Sequence, residues 1–348
     1  MTATVLSSLN ASLAYALAKD ERVLLMGEDI LDPYGGAFKV TQGLSSQYPG
    51  RVLNTPISEA GLAGVAAGMA LRGLRPVLEV MFGDFLTLTA DMLTNTISKY
   101  PWMYADQVHL PLVIRTPMGG RRGYGPTHSQ SLEKQFLGLP GLRVLAPVNL
   151  DSLGRPGDTP PLGGPGELLA WVILEQEMPC VFIENKVQYL EPLLTPAGLS
   201  EFEVQIAGQG APSVTFSLKS APAPSVTLVA YGEMASLARQ AMLNLAYDHE
   251  VFTQLVVPTQ LAPFEIDAIL ESVQKTHRLV TCEEGTLSLG WGAEIIARAS
   301  IAMGSDLKAA RRLAARDQPV PASRALEEGA LPGLSDMIQL VLSIESHA

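Results

Sequence analysis

The residue best suited to chemistry in this chain is Glu59, a single carboxyl where a loop runs into an apolar helix. The surrounding residues 53–85 read LNTPISEAGLAGVAAGMALRGLRPVLEVMFGDF, which predicts a turn, a helix that Ser58 can cap and Gly73 ends, and a buried strand. A first-turn acid is ordinarily just a favourable partner of the helix dipole. Here the apolar turns that follow predict an interior or interface position. Desolvation there favours the neutral carboxyl, which can share a proton with a ligand nitrogen.

A second group of polar residues lies in residues 116–131, TPMGGRRGYGPTHSQS. A loop of this length without regular structure is typically functional or disordered. Arg121 and Arg122 are either solvated or grip a carboxylate substrate or an acidic partner domain. An isolated histidine such as His128 is usually a structural residue. Histidine is, however, also the side chain that changes charge near neutral pH.

Alternating strands and helices must bring these side chains together. Short apolar runs predict strands at residues 22–26, 75–82, 112–115, 142–146, 179–184, 226–230, 251–257 and 277–281, and apolar residues at helical spacing predict helices near the N-terminus, after Gly83 and at 235–247. This order predicts an α/β fold class with two parallel-sheet α/β domains. Ligands collect at the carboxyl ends of parallel strands, so Glu28, which follows the first strand, is a site candidate.

The predicted domains are residues 1–195 and 226–348. Residues 196–225 lose periodicity and end in SAPAPS, which predicts a linker. The Pro/Gly-rich residues 152–166 predict a mobile surface loop.

Composition excludes several classes of function. The 348 residues carry a formal charge of −11, which argues against nucleic-acid binding. No run of about 18 apolar residues predicts a membrane span. The N-terminus lacks the basic head of a targeting signal, so we expect a cytoplasmic protein. Cys180 and Cys282 form no CxxC motif and have no histidine nearby at ligand spacing, which predicts two reduced, partly buried thiols.

Many blocks of this sequence resemble one family, the β subunits of the E1 component of 2-oxo acid dehydrogenases, of pyruvate dehydrogenase type, which belong to the transketolase-like thiamine diphosphate enzymes. The blocks span nearly the whole chain in order: MGEDI (26–30), GGAF (35–38), TPISEAGLAGVAAGMALRGLRPVLEVMFGDF (55–85), HSQS (128–131), PGLRVLAP (140–147), IEN (183–185), YGEM (231–234), ESVQKTHRLVTCEEG (271–285) and GWGAEI (290–295).

The resemblance implies a pyrimidine-binding domain followed by a transketolase C-terminal-type domain, which makes subunit contacts. It implies that Glu59 hydrogen-bonds the pyrimidine nitrogen of thiamine diphosphate and favours its imino tautomer, and that Phe85 stacks on the aminopyrimidine ring. It places Glu28 on an acidic path near the cofactor, assigns Ile57 to cofactor binding, and makes His128 a proton donor in the later half-reaction.

The resemblance also implies a potassium ion held by main-chain oxygens. Carried over by position, these belong to Leu112, Ile173, Leu174, Gln176 and Met178. The chain departs from the family at Asp91-Met92, where Asp-Gln is usual, and in RRGYGPTH, which leaves the substrate open.

One element of thiamine diphosphate enzymes is missing, namely a GDG followed by an Asn that holds the magnesium on the diphosphate. Gly83-Asp84 continues to Phe85, and Gly157-Asp158 continues to Thr159. A diphosphate without a cation or a phosphate-binding loop is poorly held. The resemblance therefore implies a separate E1 α subunit that carries Mg²⁺, an α2β2 assembly, and a lipoyl-bearing E2 that accepts the acyl group. The small residues of the helix after Glu59 predict a close contact at that interface.

Three functions remain open at this point. The first is the β subunit of an E1 that oxidatively decarboxylates a 2-oxo acid. The second is another transketolase-like enzyme that cleaves acetoin or a sugar phosphate, and the third is a noncatalytic partner-binding subunit of the same fold. The sequence does not name the 2-oxo acid, because the acyl pocket is shared with another chain.

Overall fold

The computed structural model describes residues 3–151, 163–195 and 197–345, and these form two α/β units. The strands are β1 Val23–Gly27, β2 Val52–Asn54, β3 Arg75–Glu79, β4 Val113–Met118, β5 Arg143–Leu145, β6 Cys180–Asn185, β7 Phe202–Ala207, β8 Ser213–Leu218, β9 Val226–Ala230, β10 Thr253–Pro258, β11 Gln260–Ala262, β12 Arg278–Thr286 and β13 Ala309–Ala315.

The helices alternate with these strands through most of the chain and include those predicted near the N-terminus, after Glu59 and at 235–247. They are α1 Val5–Lys19, α2 Leu44–Gln47, α3 Glu59–Leu71, α4 Tyr100–Met103, α5 Pro165–Glu175, α6 Glu233–His249, α7 Asp267–Thr276, α8 Trp291–Met303, α9 Arg324–Ala330 and α10 Leu334–Glu345. Short 3₁₀ helices add Phe85–Thr89, Glu133–Gln135, Gln188–Leu190, Ala197–Leu199 and Gly304–Asp306, and Met92–Ile97 is a π-helix.

The first sheet has the strand order β11-β5-β6-β4-β3-β1-β2. All its pairings are parallel except that of β11 with β5. Helices α1 and α5 pack with apolar residues from one face of the sheet, and α3 packs with those from the other. Because both faces are covered, β3 and β4 are buried along their whole length, as their apolar sequences predict.

The second sheet has the order β13-β12-β9-β10-β8-β7 and confirms the prediction of two parallel-dominated α/β units. It also corrects the predicted linker. Residues 196–225 contain β7 and β8, an antiparallel pair that extends this sheet through β10. The two units are further joined by β11, which leaves the second half of the chain to pair with β5 of the first sheet.

Two local predictions also change. The helix expected after Gly83 is a 3₁₀ turn at Phe85–Thr89 followed by a π-helix, a form that often occurs at functional sites. In the predicted loop 152–166, residues 152–162 lie outside the described residues, while Pro165 and Gly166 begin α5. No helix in the described ranges has the length and apolarity that spanning a membrane requires.

Candidate active site

Glu59 lies where the sequence places it, at the first position of α3, on the side of the sheet where the strands end. The helix follows β2, so its N-terminus faces the carboxyl edge. Glu59 is 7% exposed. Ser58 is the N-cap residue, but its side chain makes no capping hydrogen bond. No residue in the described part of the chain hydrogen-bonds or ion-pairs with the Glu59 carboxyl. Its oxygens therefore remain available to a ligand.

Glu28 follows β1 on the same edge, beside Glu59. Burial raises the pKa of Glu28, and repulsion from Glu59, Asp29 and Glu79 raises it further. The two predicted acids are therefore close enough to interact. This edge of the sheet therefore holds several acidic side chains close together.

His128 and Phe85 come together as the sequence predicts. The His128 ring lies edge-on to Phe85 with centroids 5.2 Å apart and edge-on to Phe82 with centroids 4.8 Å apart. Its Nδ1 lies 2.9 Å from the Thr127 hydroxyl oxygen. The two phenylalanine rings restrict the orientation of the imidazole, which is partly exposed to solvent.

A buried ion network, which sequence reasoning missed, lies behind these residues. The Arg115 guanidinium in β4 donates to Glu184 of β6, from Nε to Oε1 at 2.8 Å and from Nη2 to Oε2 at 2.6 Å, and it also pairs with Glu79 of β3. The Tyr189 hydroxyl donates to Glu184 Oε2 at 2.5 Å. One cation thus joins three adjacent strands below the site.

The two arginines of the long loop make contacts within the chain. Arg121 Nη2 donates to the Pro332 carbonyl at 2.6 Å, and Arg122 Nη2 donates to the Lys186 carbonyl at 2.6 Å. Both side chains are partly exposed. The Arg121 guanidinium also lies near an acidic residue of this chain's own second unit, with Nε 3.8 Å from Glu284 Oε2.

Comparisons with known proteins cover both units. Residues 2–153 match the transketolase pyrimidine binding domain, and residues 218–337 match the transketolase C-terminal domain. A solved split gene transketolase, described as an inactive beta4 tetramer, superposes with a TM-score of 0.70 at 18% identity and covers 99% of this chain and 98% of that one. This likeness shows the fold alone.

Full-length relatives decide the family. The chain is 35% identical over 340 residues to pyruvate dehydrogenase E1 component subunit beta-1 of Arabidopsis thaliana, covering 97% of this chain and 87% of that protein. It is 32% identical over 344 residues to the 3-methyl-2-oxobutanoate dehydrogenase subunit beta of Mycobacterium tuberculosis, covering 97% and 92%. The chain belongs to the E1 β subunits of the 2-oxo acid dehydrogenases.

The E1 β site fits the aminopyrimidine half of thiamine diphosphate. Glu59 offers a buried carboxyl with open acceptor positions, and Phe85 offers an aromatic ring beside His128. Ile57, two residues before Glu59, is 81% exposed, so its side chain is open to a ligand or a partner chain. Among the residues the structure describes, no cluster of three or more His, Cys, Asp or Glu side chains could hold a metal ion.

The carbonyl set predicted for potassium is already partly bonded in this E1 β chain. Arg75 Nη1 donates to the carbonyls of Ile173 and Gln176, both at 2.9 Å, and the Cys180 N–H donates to the Leu112 carbonyl at 2.9 Å. A potassium ion there would compete with the Arg75 guanidinium. The residues do not fit the ion without rearrangement, so we derive no function from it.

Several residues near the site carried a weak sequence signal. Arg115 is a charged residue inside the strand LVIR, which indicates a buried ion pair, and Lys186 directly follows the IEN block. Cys180 and Cys282 are free thiols, both buried.

Proposed function

We propose that this chain is the β half of an E1 enzyme that oxidatively decarboxylates a 2-oxo acid and passes the acyl group to a lipoyl group on an E2 chain. The observation that carries this proposal is the buried Glu59 at the first position of α3, on the same α/β unit as the contact between Phe85 and His128. Both named relatives are subunits of dehydrogenases of 2-oxo acids, which supports the substrate class.

Thiamine diphosphate, when bound, supplies a nucleophilic carbon that adds to the 2-oxo group and holds the electron pair left by carbon dioxide. Glu59 would hydrogen-bond the pyrimidine nitrogen through its carboxyl, which is buried at the first position of α3. Phe85 would support the ring, and the exposed side of Ile57 would contact the cofactor.

His128 would donate a proton during acyl transfer. Its ring is held edge-on by Phe82 and Phe85 and is partly exposed, so it can exchange protons with solvent and still face the reacting group. Glu28 would lie on the acidic side of the site, where burial and repulsion from Glu59 raise its pKa.

A second chain completes the site. We propose an E1 α subunit that holds Mg²⁺ and the diphosphate, in an α2β2 assembly, because this sequence lacks the GDG…Asn element. The outer face of α3 supports this contact. Val65 is 55% exposed and Leu71 is 40% exposed, and the position of Gly68 is open, with no atom within 4 Å of where a side chain would begin. A cytoplasmic location stays a prediction.

The test is co-expression with candidate α chains, followed by activity assays with thiamine diphosphate and Mg²⁺. Pyruvate, branched-chain 2-oxo acids, acetoin and a sugar phosphate would be screened, each with lipoamide as acceptor. We expect turnover of one 2-oxo acid by the α/β pair and none by the β chain alone. Turnover of acetoin or a sugar phosphate only would favour a different transketolase-like enzyme, and no turnover by any assembled pair would favour a noncatalytic subunit.

A further inference from the structure

The loop that carries His128 is attached to the second α/β unit, and Glu327 makes two of the contacts. Glu327 of α9 is 3% exposed. Its Oε1 accepts the Arg121 N–H at 2.8 Å, and its Oε2 accepts the Gly123 N–H at 3.0 Å. The left-handed backbone at Arg121 and Gly123, with φ of 67° and 70°, turns both N–H groups to the same side. Such converging amides form a site for an anion, which Glu327 fills.

Two more contacts attach the same turn. Glu284 Oε1 of β12 accepts the Gly120 N–H at 2.5 Å. The Arg121 side chain returns to the Pro332 carbonyl just after α9. The first half of the loop is therefore held by the second unit, although its histidine serves the site on the first.

The second half of the loop is held by Lys186. This side chain follows β6, is fully buried, and donates from Nζ to the His128 carbonyl at 2.5 Å. Its Nζ lies 5.2 Å from the centroid of Phe82, the ring that also contacts the imidazole. Burial lowers the pKa of Lys186 to about 8, with Asp84 and Glu284 opposing that change. The ammonium thus reaches the backbone of the proposed proton donor directly.

We propose that Glu327 and Lys186 are positioning residues that hold the His128 loop at its two ends and keep the imidazole against Phe82 and Phe85. Four glycines make this loop adaptable, so without these contacts the imidazole would sample many positions. A displacement of about 1 Å at a catalytic group is enough to lower a rate substantially. The inference rests on the proposed role of His128 in acyl transfer.

The test is Glu327→Gln in the co-purified α/β enzyme. A glutamine keeps the size of the side chain, but its NH₂ group faces an N–H donor instead of accepting from it. We expect acyl transfer to lipoamide to fall by about tenfold or more, while decarboxylation measured with an artificial electron acceptor stays within about twofold. The matched control is Glu328→Gln, the neighbouring glutamate, which pairs with Arg324 on the exposed side of α9. It should leave both rates unchanged.

A double variant distinguishes positioning from general damage. If Glu327 acts through His128, then Glu327→Gln should cause no further loss of acyl transfer in a His128→Ala background. Additive losses, or an equal fall in both assays, would overturn the inference. If His128→Ala itself does not separate the two assays, the proposed role of His128 fails and the positioning role fails with it. If His128→Ala lowers acyl transfer selectively while Glu327→Gln changes neither rate, only the positioning role is refuted.

Lys186→Met provides an independent variant if Glu327→Gln does not assemble. It removes the donor to the His128 carbonyl and retains an apolar side chain of similar length. The same selective loss of acyl transfer is expected, and unchanged acyl transfer would overturn the inference.

Discussion

Arg115 shows how single residues stabilise the sheet beneath the site. Its guanidinium is 2% exposed and pairs with Glu79 and Glu184, which are also buried. Charges of this kind are tolerated in a protein interior only because each is paired and hydrogen-bonded.

We predict that Arg115→Met destabilises the protein by about 3–5 kcal/mol, because it leaves two buried carboxyls without a cation. The measurement is the urea midpoint of unfolding of the β chain. Arg22→Met is the control, since Arg22 pairs with Asp20 at the surface and is 54% exposed, and it should shift the midpoint little. Equal shifts in the two variants would contradict the role of the buried network.

At the residue scale, sequence could predict Glu59, Phe85 and His128 because each lies in a distinctive local block. It could not predict Glu327 or Lys186. Their partners are 204 and 58 residues away along the chain, and only the folded loop brings them together.

Helix α3 is the element on which both the site and the proposed assembly depend. Its inward residues Leu62, Ala63, Ala66, Ala67 and Ala70 pack on the first sheet, while its outward side also carries small and apolar residues. A Cβ added at Gly64 would lie 3.3 Å from Met92 Cε, so packing within the chain accounts for this glycine. No such neighbour accounts for Gly68. A helix that is apolar on two faces indicates a second contact partner.

We predict that Gly68→Leu preserves or raises the thermal stability of the β chain alone, by up to about 1 kcal/mol from helix propensity, yet weakens assembly with the α chain. The added side chain enters open space in this chain but meets the proposed interface. Size-exclusion chromatography of the co-expressed pair would measure assembly. Gly329→Leu is the control, because that glycine is also helical, exposed and open. Normal assembly of Gly68→Leu would argue against α3 as the contact surface.

Sequence analysis missed β2, β7, β8, β11 and β13, which lie at or next to the edges of the two sheets. In β7 and β8 the apolar residues alternate with polar ones, as in FEVQIA and SVTFSL, and the exposed side chains weaken the apolar signal. The central strands are buried on both faces, so their continuous apolar runs could be predicted. The short β11 carries no such pattern. Its pairing with β5 of the first sheet depends on how the two units pack, which the local sequence does not show.

At the scale of the whole molecule, the two units meet around a small cavity of about 30 Å³, enough for about two water molecules. Glu133, Glu233 and Glu284 line it. Burial raises the pKa of Glu233 to about 8, and repulsion from Glu191 and Glu284 adds to the rise. Burial also raises the pKa of Glu133 to about 7, against the hydrogen bond from the Tyr231 hydroxyl.

These raised pKa values make stability depend on pH. Unfolded glutamates lose their protons near pH 4.5, whereas the folded protein keeps these two protons up to pH about 7 and about 8. Between these limits the two folded-state glutamates bind more protons than the unfolded ones, so their contribution to stability falls as the pH rises and levels off above pH about 8.

We predict that Glu233→Gln reduces this loss, because the amide imitates the neutral acid and cannot ionise. Unfolding midpoints at pH 6, 7.5 and 9 would measure it, with the exposed Glu294→Gln as the control. The variant should lose less stability than the parent between pH 6 and pH 9. A parallel decline in variant and parent would show that Glu233 does not carry the effect.

The central claim of this account is that the buried Glu59 carboxyl hydrogen-bonds the pyrimidine ring of the cofactor. The most direct test is Glu59→Gln in the assembled α/β enzyme, measured as decarboxylation of its 2-oxo acid at saturating thiamine diphosphate. We predict a loss of about 100-fold or more with the assembly intact. A variant that assembles and turns over within about twofold of the parent would contradict it.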